Sequence, residues 1–145
     1  MRESLFASRG QASLETLVVL SALFAFLLAF IPVVNQAREL VEFAKTVSQA
    51  QVLANRLSSD LKQAQLLGDG NAREWVFVLS SGEIIVSFSN SSLLLVSSYA
   101  NHSKKIEFAL GFPVSASGET RLTPGSFTVR VWNDFGRVKV KILKR

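Results

Sequence analysis

The chain has 145 residues, no cysteine and one histidine, which excludes disulfides, thiolate metal sites, cysteine nucleophiles and paired-histidine centres. Its length allows one hydrophobic segment and a single small domain. Much of the formal charge of +5 lies in the last nine residues, where Arg137, Lys139, Lys141, Lys144 and Arg145 are interleaved with apolar residues. That pattern reads as a strand with one solvated face, so no nucleic-acid partner is expected.

In chain order, Met1–Gly10 (MRESLFASRG) has little apolar content and ends in a small-residue junction, Arg9-Gly10. A secretory signal places its small residues after the apolar core; here they come before it. A cut after Gly10 therefore leaves the apolar segment on the mature chain. Gln11–Thr16 is short and polar, and Leu17–Val34 follows with Ser21 as its only polar side chain. Those 18 residues make about 27 Å of helix, close to a hydrocarbon core of about 30 Å. A carboxylate, Glu15, sits almost against this run.

Directly after Arg9-Gly10, the residues Gln11-Ala12-Ser13-Leu14-Glu15-Thr16-Leu17 resemble the class III signal peptide of archaeal type IV pilin-like proteins, Q-x-S-x-E-x-L. The four named positions, Gln11, Ser13, Glu15 and Leu17, all match, in the right place before an apolar run. Bacterial type IV pilins differ in having an aromatic residue after the cleaved glycine. The resemblance implies cleavage before Gln11 by a class III prepilin peptidase, with Arg9, Gly10, Gln11 and Ser13 as the processing site. It further implies a pilus assembly platform with its ATPase, and polymerisation of the chain with itself or related subunits into a surface filament. It covers the N-terminal third; the remainder resembles the strand-rich ectodomains of such proteins only loosely.

The physical chemistry of Glu15 stands beside that resemblance. A carboxylate at the centre of a membrane helix costs a few kcal/mol, so it requires a partner or a neutral form. Cleavage creates an α-amine four residues upstream, at Gln11. In a staggered helical assembly that amine on one subunit pairs with Glu15 of the next and penalises wrong axial registers. Cyclisation of Gln11 removes the amine. The plainer reading makes Glu15 a helix-start acid at the headgroup boundary, with Ser13 as a cap. Glu15 and Leu17 are the candidate assembly residues.

Pro32 is expected to kink or loosen the helix one turn upstream, after which the pattern resumes. Leu40, Ala44, Val47, Ala50, Ala54, Leu57, Leu61, Ala64 and Leu67 recur at spacings of three or four, with Val41 and Leu53 broadening the stripe. Arg38–Glu42 and Arg56–Asp60 are spaced as i,i+4 ion pairs. From Ser13 to Leu67 this predicts a helix of roughly 80 Å, ended by Gly68-Asp69-Gly70-Asn71. Such a helix suits a filament core in one half and a head domain's underside in the other.

Past Gly70 the period becomes two. Segments 75–79, 83–88, 93–96, 105–110, 127–132 and 138–142 predict six short strands in an antiparallel meander or small sandwich, with 111–125 a loop holding at most one short strand. The expected fold is α+β: a long N-terminal helix packed on a small antiparallel head, pilin-like. The expected parts are a leader (1–10), the helix (11–67) and the head (68–145).

No catalytic constellation emerges, and neither enzyme activity, a metal nor a cofactor is expected. Asp134-Phe135-Gly136 matches the kinase metal-binding triplet, but without its companion motifs Asn133–Gly136 reads as a hairpin turn. His102 falls in a polar loop and reads as solvated. Trp75 and Trp132 read as core or edge packing, and Glu83, Glu107 and Glu119 show no paired spacing. Asn90-Ser91-Ser92 and Asn101-His102-Ser103 are acceptor triplets for N-glycosylation in expected turns. The composite expectation is a pilin precursor, single-pass in the cytoplasmic membrane and then part of an extracellular filament for attachment. The alternative is a monomeric membrane-anchored binding protein with a β ectodomain.

Overall fold

A computed structural model describes residues 3–89, 91–116 and 118–145, the side chains of residues 3–12 excepted. One helix, α1 (Glu3–Leu67), precedes eight strands. These are β1 (Ala72–Leu79), β2 (Glu83–Ser89), β3 (Ser92–Tyr99), β4 (His102–Ala109), β5 (Val114–Ala116), β6 (Thr120–Leu122), β7 (Gly125–Asp134) and β8 (Arg137–Lys144). The chain divides into two units, residues 1–38 and 39–145.

The first unit is helical from Glu3, eight residues ahead of the expected bound at Gln11, so the helix runs through the expected leader and Ser13 does not cap it. Gly10 lies inside it; one glycine costs only about 1 kcal/mol against alanine, which a long helix absorbs. The helix also runs through Pro32 without a break. Proline removes a single hydrogen bond, the one its own position would donate to the Leu28 carbonyl, and the turns on either side continue. From Ser13 to Arg38 every side chain is exposed.

In the second unit, the rest of α1 lies against the strands. Ala50, Leu53, Ala54, Leu57, Leu61 and Ala64 form its buried stripe. The stripe is shorter than its periodicity suggests. Leu40, Ala44 and Leu67 are exposed and Val47 is only half-buried, because the β1–β2 turn meets the helix at Thr46 and Gln49 and cover runs out below it. At the other end Gly68 adopts φ +74°, a left-handed conformation that glycine accepts without a Cβ penalty, and the Asn71 side chain donates to the Leu67 carbonyl at 2.9 Å. This ends α1 where the sequence places its end.

All six expected strands are present, and the expected loop at 111–125 contains two more. β5 and β6 are three residues each, too short to display an alternation. The strands form two sheets, ordered β1-β7-β8-β5 and β4-β3-β2-β6. The second is wholly antiparallel, whereas β5 joins β8 in parallel, so the head is mixed and not purely antiparallel. Period-two alternation turns one face of each sheet inward. Trp75, Phe77, Leu79, Phe127, Val129, Val131, Val138 and Val140 come from the first sheet, and Ile84, Val86, Leu93, Leu95 and Leu122 from the second. With the α1 stripe they make one core.

Polar fastenings fix the helix to the strands. Thr46, fully buried, has its hydroxyl 2.9 Å from the Glu42 carbonyl and 3.1 Å from the Ser81 carbonyl, sharing one proton between them. A Cβ on Gly82, at φ +70°, would fall 2.6 Å from the Thr46 hydroxyl and 2.7 Å from the Ser98 carbonyl, so that turn position requires glycine. Gln49 accepts from the Ser80 hydroxyl at 3.1 Å, beside the outer edge of β1. Glu42 pairs with Lys45 at 4.0 Å. Asp60 does not take Arg56 as the spacing suggests: its carboxylate lies 3.3 Å from Arg73 and accepts from the Trp75 indole at 2.8 Å, while Arg56 sits over the Trp75 ring at 4.3 Å. The flat indole and the guanidinium stack, and the tryptophan N–H has a charged acceptor.

Candidate functional site

The candidate processing and assembly residues all lie on α1. Arg9, Gly10 and Gln11 are helical, and their side chains lie outside the described residues. Ser13 and Glu15 are exposed, as is Leu17. Among the described residues Glu15 makes no ion pair. Leu17–Val34 has no buried side chain, although leucine, valine and phenylalanine supply most of it. Phe26 and Phe30 stack one turn apart, at 5.9 Å between ring centres. Leu27, Phe30, Ile31, Val34 and Asn35 line a shallow apolar groove.

The one hydroxyl in the run is satisfied internally: Ser21 donates to the Leu17 carbonyl at 2.7 Å. With that bond made, the segment presents only hydrocarbon around its circumference, as a helix in lipid must. By length and composition α1 is able to cross a membrane once, with a mean hydropathy of 2.9 over its most apolar window.

On the head, the two sequons differ in status. Asn90 lies outside the described residues. Asn101 is exposed, in the two-residue β3–β4 turn after Ala100, whose φ is +49°. The neighbouring His102 is not simply solvated: its ring lies 5.4 Å from that of Phe43 on α1. Trp75 is core. Trp132 is not; it stands half-buried on the outward face of its sheet, with the Arg130 guanidinium 5.7 Å from its ring centre. The signal was in the alternation, since Phe127, Val129 and Val131 share one face and Thr128, Arg130 and Trp132 the other.

A hairpin forms here one residue later than expected, from Asp134 to Arg137, with Asn133 still paired in β7. Its two central residues, Phe135 and Gly136, have φ of +51° and +75°, the all-positive pattern that matches strand twist. The Gly136 amide donates to Asp69 at 2.9 Å, tying the turn to the loop after α1. The scattered acids do not converge: Glu83 pairs with Arg121, Glu107 with Lys105 at 3.4 Å, and Glu119 is exposed. Among the described residues no three metal-ligating side chains cluster. The chain matches no protein-family model, no curated protein and no solved structure.

Proposed function

We propose that this chain is a structural subunit, a pilin, of an archaeal type IV pilus-like surface filament used for attachment. It is made as a single-pass membrane precursor, cut before Gln11 by a class III prepilin peptidase and polymerised through α1 by an assembly platform and its ATPase. The observation that carries this reading is Leu17–Val34, apolar on every side and without a buried side chain, preceded by Gln11, Ser13, Glu15 and Leu17 in signature spacing. A monomeric anchor tolerates Glu15 only at the headgroup boundary, since a carboxylate at the bilayer centre costs about 3 kcal/mol. In a filament the acid has a partner in the Gln11 α-amine of a neighbouring subunit.

Two measurements test the reading. Mass spectrometry of the chain recovered from its host membrane should give a mature N-terminus at Gln11, free or cyclised; an uncut leader, or a cut beyond Val34, rejects it. Glu15→Gln should leave the membrane-bound level of the chain unchanged and abolish filaments seen by electron microscopy. Normal filaments in that variant remove Glu15 from assembly.

A further inference from the structure

The outward faces of the two sheets differ in charge. On the β4-β3-β2-β6 sheet the charges cancel locally, through Lys105–Glu107 and Arg121–Glu83. On the β1-β7-β8-β5 sheet, cross-strand register sets Arg137 beside Asp134, Lys139 beside Trp132 and Lys141 beside Arg130. Among the described residues only Lys139 has a carboxylate within ion-pair distance, Asp134; Arg130 stands across from Glu74 in the β1–β7 register without an ion pair, and Arg137 and Lys141 have none. The basic residues of β8 lie two apart on one face, hence at intervals of about 7 Å.

This face also carries hydrocarbon and hydroxyls. Phe135 at the hairpin tip is 89% exposed, in a left-handed conformation that a bulky side chain rarely adopts. Two shallow depressions, of about 370 and 290 Å³, meet at Ser115 and Lys139; Phe135 lines the first and Trp132 the second. Along one strip the surface therefore offers an aromatic residue, a carboxylate, a hydroxyl, a second aromatic residue and unpaired cations.

We infer that the outward face of the β1-β7-β8-β5 sheet binds an acidic polysaccharide. The cations take its carboxylates through charge-assisted hydrogen bonds. Asp134 and Ser115 accept from sugar hydroxyls, and the two rings pack on the C–H faces of the pyranoses. A nucleic acid fits less well. Asp134 and Ser115 have no sugar hydroxyls to accept from in DNA, and the two separate aromatic residues, Phe135 and Trp132, do not make the continuous platform that successive bases stack on. The inference deepens the attachment role by naming what is attached to, and it is tested on the isolated chain, so it stands or falls without filaments.

The test titrates detergent-solubilised full-length chain with polygalacturonate, neutral dextran and single-stranded polythymidylate at low salt, following tryptophan fluorescence and sedimentation. Polygalacturonate should bind and dextran should not, with the complex weakening as salt is raised. Lys141→Gln and Arg130→Gln, both at exposed positions, should each weaken binding about ten-fold. Trp132→Phe should bind but lose the fluorescence change. Lys105→Gln, on the other sheet, should bind as the parent does. No polygalacturonate binding, equal or tighter polythymidylate binding, or equal losses in Lys105→Gln and Lys141→Gln would each overturn the inference.

Discussion

Residues 17–34 and 50–64 belong to one helix and draw on similar apolar residues, yet they solve different problems. Between 50 and 64 the buried positions fall on a single stripe, with Gln51, Asn55, Arg56, Ser59 and Lys62 exposed on the rest of the surface. Between 17 and 34 there is no polar side and no buried side. A helix that folds with its own chain needs one apolar face, because the strands cover only that much of it. A helix apolar all round leaves its burial to something other than its own strands, whether lipid or neighbouring copies. The contrast distinguishes what the head does for itself from what the rest of the chain leaves to its surroundings.

The contrast is broken most directly by matched truncations. Leu57→Ala, at a fully buried site, should cost the head about 3–4 kcal/mol. Leu27→Ala should change head stability by less than about 0.5 kcal/mol. Thermal unfolding in detergent, followed by near-ultraviolet circular dichroism, reads both, and equal falls in Tm would abolish the distinction. Phe30→Asp should cost about 3 kcal/mol of membrane insertion with the head's Tm unmoved, measured as the fraction retained in alkali-washed membranes.

Polar fastening sharpens the head side of the comparison. Asp60→Ala leaves the Trp75 indole and Arg73 without their acceptor and should cost about 2 kcal/mol; Asp60→Asn, which keeps an acceptor for the indole, should cost about half as much. Denaturant midpoints with unchanged slopes would register this, and equal losses would mean the indole bond contributes nothing. The smallest effect has the opposite sign. Phe135→Asn relieves a left-handed phenylalanine and should raise stability by about 0.5–1 kcal/mol while weakening polysaccharide binding. A fall in Tm would show that the exposed ring is held by packing after all.

The long helix, its end at Gly68 and six of eight strands were legible because each is written in a repeat: three-to-four spacing, a left-handed glycine, or strict alternation. Periodicity fixes which residues share a face, but how far cover extends depends on where other segments land. Leu40 and Ala44 therefore fit the stripe and are still exposed. β5 and β6 were hidden because three residues cannot establish a period, and the parallel pairing of β5 on β8 is a long-range event with no local mark. At the candidate site, Gln11, Ser13, Glu15 and Leu17 were readable as a motif. Of the cationic face only the β8 share, Arg137, Lys139 and Lys141, was readable from alternation; that Arg130 and Trp132 on β7 and Ser115 on β5 join it was not, since only register unites them. Asp60 was read toward Arg56 because helix spacing is visible in a sequence, whereas the approach of β1 is not.

The position of β8 carries a consequence for how the head comes into being. Although it follows every other strand in the chain, β8 occupies an inner place, between β7 and β5, and buries Val138 and Val140. A chain emerging N-terminus first presents β5 long before the strand that will hold it. Until residues 137–144 arrive, β5 has no ladder and β7 has one bare edge. The β1-β7-β8-β5 sheet is therefore completed only when β8 is present, whereas the β4-β3-β2-β6 sheet has all its ladders without it. A ribosome or membrane channel still occupied by residues 137–144 leaves β5 unpaired and β7 with a bare edge.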